Sequence, residues 1–448
     1  MTGEGTPTAA PVAPGAAGAA GAAIESREPS GSHLMSTYRP APVRFVSGRG
    51  CRLRDDRGRE YLDFLSGIAV TSLGHAHPGV ADAIAAQARE LLHVSNLFEN
   101  ALAEGVAATL DVLIGDGTAL GGKVFFANSG AEANEAAIKL ARRFGGRGRH
   151  EVVSALGSFH GRTLATLHAT GQPSKHEAFA PLPEGFRHVA YGDLAALETA
   201  ADPTRVAAVL LEPIEGEIGV VVPPPGYLAA VRALCDDRGI LLVLDEIQTG
   251  LGRTGRWFAF QQEGIVPDVV TMAKALGNGV PAGACWARAA VADCFAPGDH
   301  GSTFGGQPLA LSAVRATLDT MIALDVPSRA RERGAQLATS LRAVPGVREV
   351  RGRGLLLGVV LDAGIDAPTV VSRALEAGLV VNAAAPDVVR LAPPLVVTAA
   401  ECEEAVSVLR SVVAEVAAGR GGAGTGGTAP SADGPHGAGA SVAEGRRP

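Results

Sequence analysis

Metal-ligating and disulfide patterns are missing from this sequence. Its five cysteines are scattered, with no C-x-x-C pair and no spacing that suits a zinc site. An odd number of isolated thiols is typical of proteins from reducing compartments. We therefore predict a cytoplasmic protein without a bound metal.

Long apolar runs and basic clusters are missing as well. No run reaches the roughly 20 apolar residues that a membrane span requires, and no basic stretch interrupts a formal net charge of −7. These absences argue against a membrane protein and against a nucleic-acid partner. A G-x-G-x-x-G turn after the first strand, with an acidic residue about 20 positions later, is also missing, which argues against a nicotinamide-dependent dehydrogenase.

Both ends of the chain offer little to bury. Residues 1–36 and 419–448 consist largely of Ala, Gly, Pro, Ser and Thr, so we expect two disordered tails. The first also lacks the basic start and the long apolar stretch of a secretory signal. The chain as a whole, with 19% charged and 47% hydrophobic residues, has the composition of a globular protein.

The middle of the chain alternates short aliphatic runs with amphipathic segments. Residues 124–128 predict a strand, and residues 131–144 and 226–237 predict helices. Four more strands are nearly continuous in aliphatic residues, as strands buried on both faces must be: residues 152–155, 206–211, 240–244 and 269–272. This alternation predicts an α/β fold with a large, mostly parallel central sheet flanked by helices.

The two flanking segments have a different pattern, with turn-rich short strands beside single helices. Strands are predicted at residues 50–56, 59–62, 355–361 and 388–391, and a helix at residues 79–92. Each flank is too short for an independent domain. We therefore predict that residues 37–95 and 327–418 combine into one smaller α+β domain beside a large domain at residues 96–326.

Lysine is scarce, with only four among the 39 basic residues. Lys274 follows the buried run at residues 269–273 and precedes small residues and glycines. Desolvation at such a position lowers the pKa of an amine and frees it to attack a carbonyl. On this residue alone, a lysine that extends its amine to the surface is the simpler interpretation. Solvent-exposed charge accounts for Lys123, Lys139 and Lys175.

Asp245 ends the strand at residues 240–244, so its carboxylate lies at the edge where open α/β sheets bind ligands. A buried carboxylate needs a partner. A protonated pyridine nitrogen would be such a partner. The alternative is a structural aspartate that accepts backbone N–H groups or pairs with an arginine such as Arg253.

Two short segments are candidate anion sites. Gly130 follows Ser129 at a strand-to-helix junction, where N–H groups at the start of a helix favour an anion, although Ser129 is also an ordinary N-cap. A second candidate is the Gly-Ser-Thr loop at residues 301–306. Phe159 could stack on a planar ring and Arg162 could bind a carboxylate. The simpler alternatives are core packing for Phe159 and a salt bridge for Arg162. His160 is interpreted as a structural histidine.

Taken together and in this order, these motifs resemble the subgroup III aminotransferases of fold type I, enzymes that use pyridoxal 5′-phosphate (PLP). The resemblance extends from about residue 38 to residue 415. The strongest stretches are residues 73–78 (LGHAHP), 128–134 (NSGAEAN), 159–163 (FHGRT), 212–225 (EPIEGEIGVVVPPP), 244–255 (LDEIQTGLGRTG), 273–279 (AKALGNG) and 302–306 (STFGG).

The resemblance implies a complete PLP site. Lys274 would hold PLP as a Schiff base, and Asp245 would pair with the pyridine nitrogen. The remaining cofactor-binding roles fall to Gly130 and Ala131 (phosphate), Phe159 (ring stacking), Gln248 (ring hydroxyl), with Glu246 and Ile247 beside it, and Thr303 (phosphate of the neighbouring subunit's cofactor). Because such sites straddle a two-fold interface, a homodimer is implied.

Within the group, residues 94–98, 170–173 and 390–394 resemble the members that act on N2-acetyl-L-ornithine. Their reaction, part of arginine biosynthesis, moves the δ-amino group to 2-oxoglutarate and yields N-acetyl-L-glutamate 5-semialdehyde and L-glutamate. By this resemblance Arg162 binds the donor's α-carboxylate and Ser302 contacts the same substrate. Arg390 would bind the α-carboxylate of glutamate or 2-oxoglutarate, and Glu217 would neutralise it when the donor is bound.

Six positions depart from the pattern of the group: Ala275, Asn278, Gln307, Glu215 and, in the entry segment, Glu99 and Asn100. They leave the donor open among ω-amino acids, namely ornithine, succinylornithine, diaminopimelate or 4-aminobutyrate. An aminomutase or racemase of the same fold is a further alternative. The joint presence of Glu217 and Arg390 argues against it, because that pair has a purpose only when two carboxylate patterns alternate in one site.

Overall fold

The computed structural model describes residues 33–38 and 40–421, so most of both predicted tails lies outside the described residues. The chain divides into a short unit up to Arg44, made of turns where it is described, and a compact unit from Phe45 onward. Within the described residues no helix is long and apolar enough to cross a membrane.

The compact unit contains strands and helices throughout. Its strands are β1 (Phe45–Arg49), β2 (Arg52–Asp55), β3 (Glu60–Asp63), β4 (Lys123–Ala127), β5 (Glu151–Leu156), β6 (Phe186–Ala190), β7 (Val206–Leu211), β8 (Leu241–Asp245), β9 (Val269–Met272), β10 (Gly283–Ala287), β11 (Val347–Arg353), β12 (Leu356–Leu361), β13 (Leu379–Val380), β14 (Asn382–Ala385) and β15 (Val388–Leu391). Its helices are α1 (Ser66–Ala69), α2 (Pro78–Glu90), α3 (Ala103–Ile114), α4 (Gly130–Gly145), α5 (Leu164–Ala169), α6 (Leu194–Ala200), α7 (Tyr227–Arg238), α8 (Ala289–Ala292), α9 (Pro308–Ala323), α10 (Val326–Arg342), α11 (Ala367–Glu376) and α12 (Ala399–Gly421).

The central sheet has seven strands in the order β4-β10-β9-β8-β7-β5-β6. Strands β5 to β9 run parallel, and β10 is antiparallel to both neighbours. Strands β7 and β8 are buried along their whole length, which explains their nearly continuous aliphatic sequences. The predicted α/β architecture with a mostly parallel sheet is therefore confirmed.

Two smaller four-stranded sheets hold the flanking segments, in the orders β1-β2-β3-β13 and β11-β12-β15-β14. Strand β13 pairs in parallel with β3, so a strand of the carboxyl-terminal flank completes a sheet of the amino-terminal flank. The limits of the two predicted domains stay a prediction.

A buried arginine of the central segment, Arg253, forms hydrogen bonds with both flanking segments. Arg253 donates to the carbonyl oxygens of Leu355 (3.2 Å) and Pro393 and to the hydroxyl of Ser72 (3.1 Å). Burial lowers its pKa to about 9. Its partners are not acidic, so Arg253 is not the counter-ion of Asp245 that the sequence left open.

The parallel arrangement decides where the site lies. Asp245 ends β8, Lys274 follows β9 after one residue, and Ser129 follows β4 after one residue. Because β4, β8 and β9 point in the same direction, these three residues meet at one edge of the sheet.

Candidate active site

A cavity of about 390 Å³ opens at this edge, within the range of small-molecule sites. Its wall includes six of the residues predicted from the sequence: Lys274, Phe159, Arg162, Gly130, Ala131 and Ile247. The structure therefore brings together residues that lie up to 144 positions apart in the sequence, between Gly130 and Lys274.

Lys274 begins a short 3-10 turn and has a left-handed backbone, with φ of 40°. Its pKa is lowered to about 8, first by burial and then by the nearby guanidinium of Arg390, against the opposing charges of Glu212 and Asp245. A substantial fraction of the amine is thus neutral near physiological pH, as a nucleophilic amine requires.

Asp245 is 3% exposed and its carboxylate has three donors. It accepts hydrogen bonds from Asn134 Nδ2 (2.8 Å), His160 Nδ1 (2.8 Å) and the backbone N–H of Ile247 (3.1 Å). These bonds fix the carboxylate in one orientation, and two of the residues that donate them, His160 and Ile247, line the cavity wall.

The residues that orient Asp245 were missed in the sequence analysis. Asn134 also donates to the carbonyl oxygen of His160 (2.8 Å) and accepts from the hydroxyl of Thr271 (2.7 Å). The available signal was a polar side chain inside an aliphatic segment, since Asn134 interrupts the buried alanines of α4 and Thr271 interrupts β9. His160, interpreted as structural, belongs to this network.

The amino terminus of α4 forms one wall of the cavity. Ser129 is its N-cap, and its hydroxyl accepts from the N–H of Glu132 at 3.2 Å. A Cβ atom on Gly130 would lie 2.7 Å from Ile247 Cδ1, and one on Gly283 of β10 would lie 2.4 Å from the carbonyl oxygen of Ser129. The turn thus depends on close approach of the backbone, and the anion site expected at its N–H groups stays a prediction.

Phe159 is positioned through its backbone. Its N–H donates to Glu212 Oε1 at 2.9 Å, and Glu212 also accepts from the N–H of Gly216 at 3.3 Å. Burial and the nearby charge of Asp245 raise the pKa of Glu212. Glu212 is a second positioning residue to which the sequence analysis gave no role.

Arg390 is 1% exposed on β15. Its guanidinium donates to Gly216 O (2.8 Å), Gln248 Oε1 (3.2 Å) and Asn382 Oδ1 (3.1 Å). Gln248 is therefore engaged with Arg390 in this structure. The ring-hydroxyl contact expected of Gln248 stays a prediction.

Glu217 lies beside a different cation from the one expected. Its Oε1 is 3.4 Å from Lys175 Nζ, and among the described residues no ion pair joins it to Arg390. The interpretation of Lys175 as solvent-exposed charge is wrong, since only 21% of its side chain is exposed and its amine lies 5.1 Å from the ring centroid of Phe159. The neutralising role of Glu217 stays a prediction.

Ser302 and Thr303 line a separate, neighbouring cavity of about 520 Å³. Asn128 belongs to the walls of both cavities, and its Nδ2 donates to the hydroxyl of Ser302 at 3.1 Å. Within the one chain, then, these two hydroxyls stand next to the cavity of Lys274 and not in its wall.

Glu246 points away from the cavity. Its carboxylate accepts hydrogen bonds from the hydroxyl of Thr249 and from the N–H of Phe260 (3.0 Å). Burial raises its pKa to about 7. These contacts give Glu246 a packing role behind the sheet edge, and the structure does not bring it to the other predicted cofactor-binding residues.

Two of the departures from the family pattern have structural reasons. Asn278 is left-handed, with φ of 47°, and it accepts from the N–H of Leu73 (2.8 Å) and donates to Gly74 O (3.3 Å). Asparagine tolerates this backbone better than other non-glycine residues. Gln307 accepts from the N–H of Val94 at 3.0 Å and so holds the start of the segment at residues 94–98.

Glu215, another departure, is 1% exposed, and neither carboxylate oxygen has a hydrogen-bond partner among the described residues. Burial, reinforced by the charge of Glu212, raises its pKa to about 9. The carboxyl group is consequently protonated at neutral pH in the folded chain and uncharged, as a glutamine would be.

Glu215→Gln should stabilise the protein increasingly as the pH rises from about 5 to about 9. The ordinary pKa of 4.5 applies to the unfolded chain, and the folded value is about 9. Between these values the folded state binds the extra proton, so stability is lost with rising pH in the wild type and retained in the variant. We expect a difference of roughly 1–3 kcal/mol at pH 9.

Urea unfolding at several pH values measures this difference. The matched control is Glu198→Gln on the exposed side of α6, which should change stability by the same small amount at every pH. A pH-independent effect of Glu215→Gln would show that Glu215 is ionised in the folded protein.

Comparison with known proteins identifies the family to which this chain belongs. Residues 35–413 match the family described as Aminotransferase class-III. The acetylornithine aminotransferase of Corynebacterium efficiens is 50% identical over 392 residues, which cover 86% of this chain and 95% of the relative. That of Mycolicibacterium smegmatis is 51% identical over 383 residues, which cover 85% and 96%.

Solved structures show the same architecture. The N-acetylornithine aminotransferase of Stenotrophomonas maltophilia has a TM-score of 0.74 and 37% identity, and covers 86% of this chain and 98% of its own. The ornithine aminotransferase of Toxoplasma gondii has a TM-score of 0.82 and 36% identity, and covers 87% and 94%. The predicted resemblance is thereby confirmed over most of the chain, and with its lysine and aspartate at one sheet edge this protein belongs to the class-III aminotransferases.

Proposed function

We propose that this protein is a homodimeric, cytoplasmic enzyme that uses PLP to move the δ-amino group of N2-acetyl-L-ornithine to 2-oxoglutarate. The products would be N-acetyl-L-glutamate 5-semialdehyde and L-glutamate, a step of arginine biosynthesis. The observation that carries the chemistry is the grouping of Lys274 and the start of α4 in the wall of one cavity, with Asp245 bonded to His160 and Ile247 of the same wall. The choice of donor rests on relatives about 50% identical that are named acetylornithine aminotransferase.

The residues of the cavity fit PLP group by group. An amine at Lys274 that is partly neutral near physiological pH suits an aldehyde, and the oriented carboxylate of Asp245 suits a pyridinium nitrogen. The N–H groups that open α4 suit a phosphate, and Phe159 offers an aromatic face. When bound, PLP supplies an electron sink that stabilises negative charge on the carbon next to the reacting nitrogen.

The protein's own groups then handle protons and orientation. With a pKa near 8, the amine of Lys274 can accept a proton and return it at neutral pH, as general acid–base catalysis requires. Asn134 and His160 hold the carboxylate of Asp245 in place, so its negative charge is fixed before the reaction begins.

Two arginines suit the two carboxylate patterns. Arg162 is exposed at the cavity and forms no ion pair with any described residue, so it is available for the α-carboxylate of the donor. Arg390 is buried and its bonds are to uncharged groups, which suits the α-carboxylate of glutamate and 2-oxoglutarate.

A homodimer accounts for the neighbouring cavity. Asn96 donates to Ser302 O at 2.7 Å, which holds the segment around residue 97 against the loop that carries Thr303. Three large apolar side chains are exposed there: Leu97 at 85%, Phe98 at 71% and Phe304 at 68%. Such a patch is typical of an interface. We infer that Ser302 and Thr303 complete the site of a second copy.

Free ornithine is the second candidate donor. The observation that favours it is the TM-score of 0.82 to an ornithine aminotransferase, against 0.74 to an N-acetylornithine aminotransferase. Sequence identity favours the acetylated donor, and for two enzymes of one fold identity is the more informative measure of substrate.

A donor panel tests the proposal. Purified holoenzyme is supplied with 2-oxoglutarate and, in turn, N-acetylornithine, ornithine, succinylornithine and 4-aminobutyrate, and glutamate formation is measured. We expect kcat/KM for N-acetylornithine to exceed that for ornithine by at least about tenfold, a transition-state difference of 1.4 kcal/mol. Equal or faster turnover of free ornithine would overturn the donor assignment and leave the aminotransferase assignment intact.

A further inference from the structure

Lys175 lies beside Phe159 of the cavity wall, through contacts that its sequence position did not suggest. It ends the 3-10 turn Pro173–Lys175, and its amine lies 3.4 Å from Glu217 Oε1. The same amine lies 5.1 Å from the ring centroid of Phe159, and Arg162 Cζ lies 5.6 Å from that centroid. Lys175 is thus, after Arg162, a second cation beside the ring of Phe159, on which the cofactor is expected to stack.

Glu217 has two cations within electrostatic reach. It contacts Lys175, and it is the largest influence opposing the burial that lowers the pKa of Arg390. A carboxylate that leaves a buried arginine needs another partner, because an unpaired charge in a desolvated site is costly. In this structure Lys175 provides that partner while Arg390 is engaged only by uncharged groups.

We propose that Lys175 is a positioning residue that holds Glu217 away from Arg390, so that Arg390 is available to the α-carboxylate of glutamate or 2-oxoglutarate. This inference rests on the proposed function, in which substrates with different carboxylate patterns alternate in one site. Lys175 acts through Glu217, and its partly buried position makes the ion pair stronger than a fully exposed one.

Removal of the Lys175 charge tests the inference. In Lys175→Met, Glu217 loses its partner and turns to Arg390, where it competes with the substrate. We expect KM for 2-oxoglutarate to rise on the order of fivefold, the equivalent of about 1 kcal/mol. KM for the amino donor should stay within about twofold, and Lys175→Arg should restore the wild-type value because it keeps the charge.

A second substitution separates this role from direct contact between Lys175 and the substrate. In Lys175→Met/Glu217→Gln no carboxylate competes for Arg390, so the affinity for 2-oxoglutarate should return to that of Glu217→Gln alone. If the double variant is as weak as Lys175→Met, Lys175 binds substrate directly and the inference fails. It fails equally if Lys175→Met leaves KM for 2-oxoglutarate unchanged.

Binding of glutarate gives a readout that does not depend on turnover. Calorimetry on each holoenzyme should show the same order of affinities as the KM values, with Lys175→Met binding glutarate most weakly and Lys175→Arg binding it as the wild type does. The matched control is Lys123→Met, which removes a largely exposed ion pair with Asp293 and should leave glutarate binding unchanged. Since 2-oxoglutarate and glutamate are the second substrate pair for every donor considered, failure of the N-acetylornithine assignment leaves this test intact.

Discussion

Lys274→Ala should lose the covalently held cofactor and slow transamination by at least about 10³-fold. The amine is the one lysine nitrogen in the cavity wall, and its pKa near 8 suits it both to bind an aldehyde and to move a proton. The alanine side chain can do neither. The measurements are the visible absorbance that remains after exhaustive dialysis and the rate of glutamate formation.

Lys274→Arg is the control for this change, because it keeps a positive charge at the position but offers no nucleophilic amine at neutral pH. It should fold, bind PLP without a covalent bond and be nearly as inactive as Lys274→Ala. Transamination by Lys274→Ala at the wild-type rate would remove Lys274 from the reaction altogether.

Asp245→Asn should keep covalent cofactor binding and slow turnover by about 10²- to 10³-fold. The amide carries no negative charge, so it cannot keep a pyridine nitrogen protonated. It would also point an N–H₂ group at a donor in either orientation, toward Asn134 and His160, which donate to Oδ2, or toward the backbone N–H of Ile247, which donates to Oδ1. Single-turnover kinetics with glutamate measures the loss directly.

Asp236→Asn is the matched control for the loss of an aspartate charge. Asp236 is 67% exposed and pairs with Arg232 on the surface of α7, so its variant should keep activity within about twofold. If Asp245→Asn were as active as Asp236→Asn, the carboxylate at the end of β8 would be structural.

Buried aliphatic strands were the easiest elements to predict. The bounds of β7, β9 and β15 agree with the predicted residues 206–211, 269–272 and 388–391. A strand buried on both faces needs a continuous aliphatic run, and that signal is local. Helix α7 was predicted within one residue at each end, because left-handed glycines flank it.

Strands β6 and β10 were missed for physical reasons. Strand β6 is an edge strand with alternating exposure, and its arginine and histidine hide the pattern. Strand β10 consists of Gly283, Ala284, Cys285, Trp286 and Ala287, mostly small residues of low strand propensity. Gly283 is required there because Ser129 approaches its backbone closely, and no sequence window contains both residues.

Site residues could be predicted where their role follows from their position at the end of a strand. They could not be predicted where the role depends on a contact with a residue far away in the sequence. Asp245 and Lys274 could be identified because each follows a buried run at the ligand-binding edge. The roles of Asn134 and Lys175 arise from contacts with residues 111 and 42 positions away, which composition and spacing do not encode. Arg162 was an intermediate case: its position near the site could be predicted from the sequence, but the group that it binds could not.

The fate of the donor's δ-nitrogen tests the central claim most directly. N-acetylornithine that carries heavy nitrogen only at the δ position is incubated with the holoenzyme and 2-oxoglutarate, and the products are examined by mass spectrometry. The account predicts that the label appears in the amino group of glutamate, and that Lys274→Ala transfers none. Label released as ammonia, or retained in a product of the donor while no labelled glutamate forms, would contradict transfer of the δ-amino group at this site.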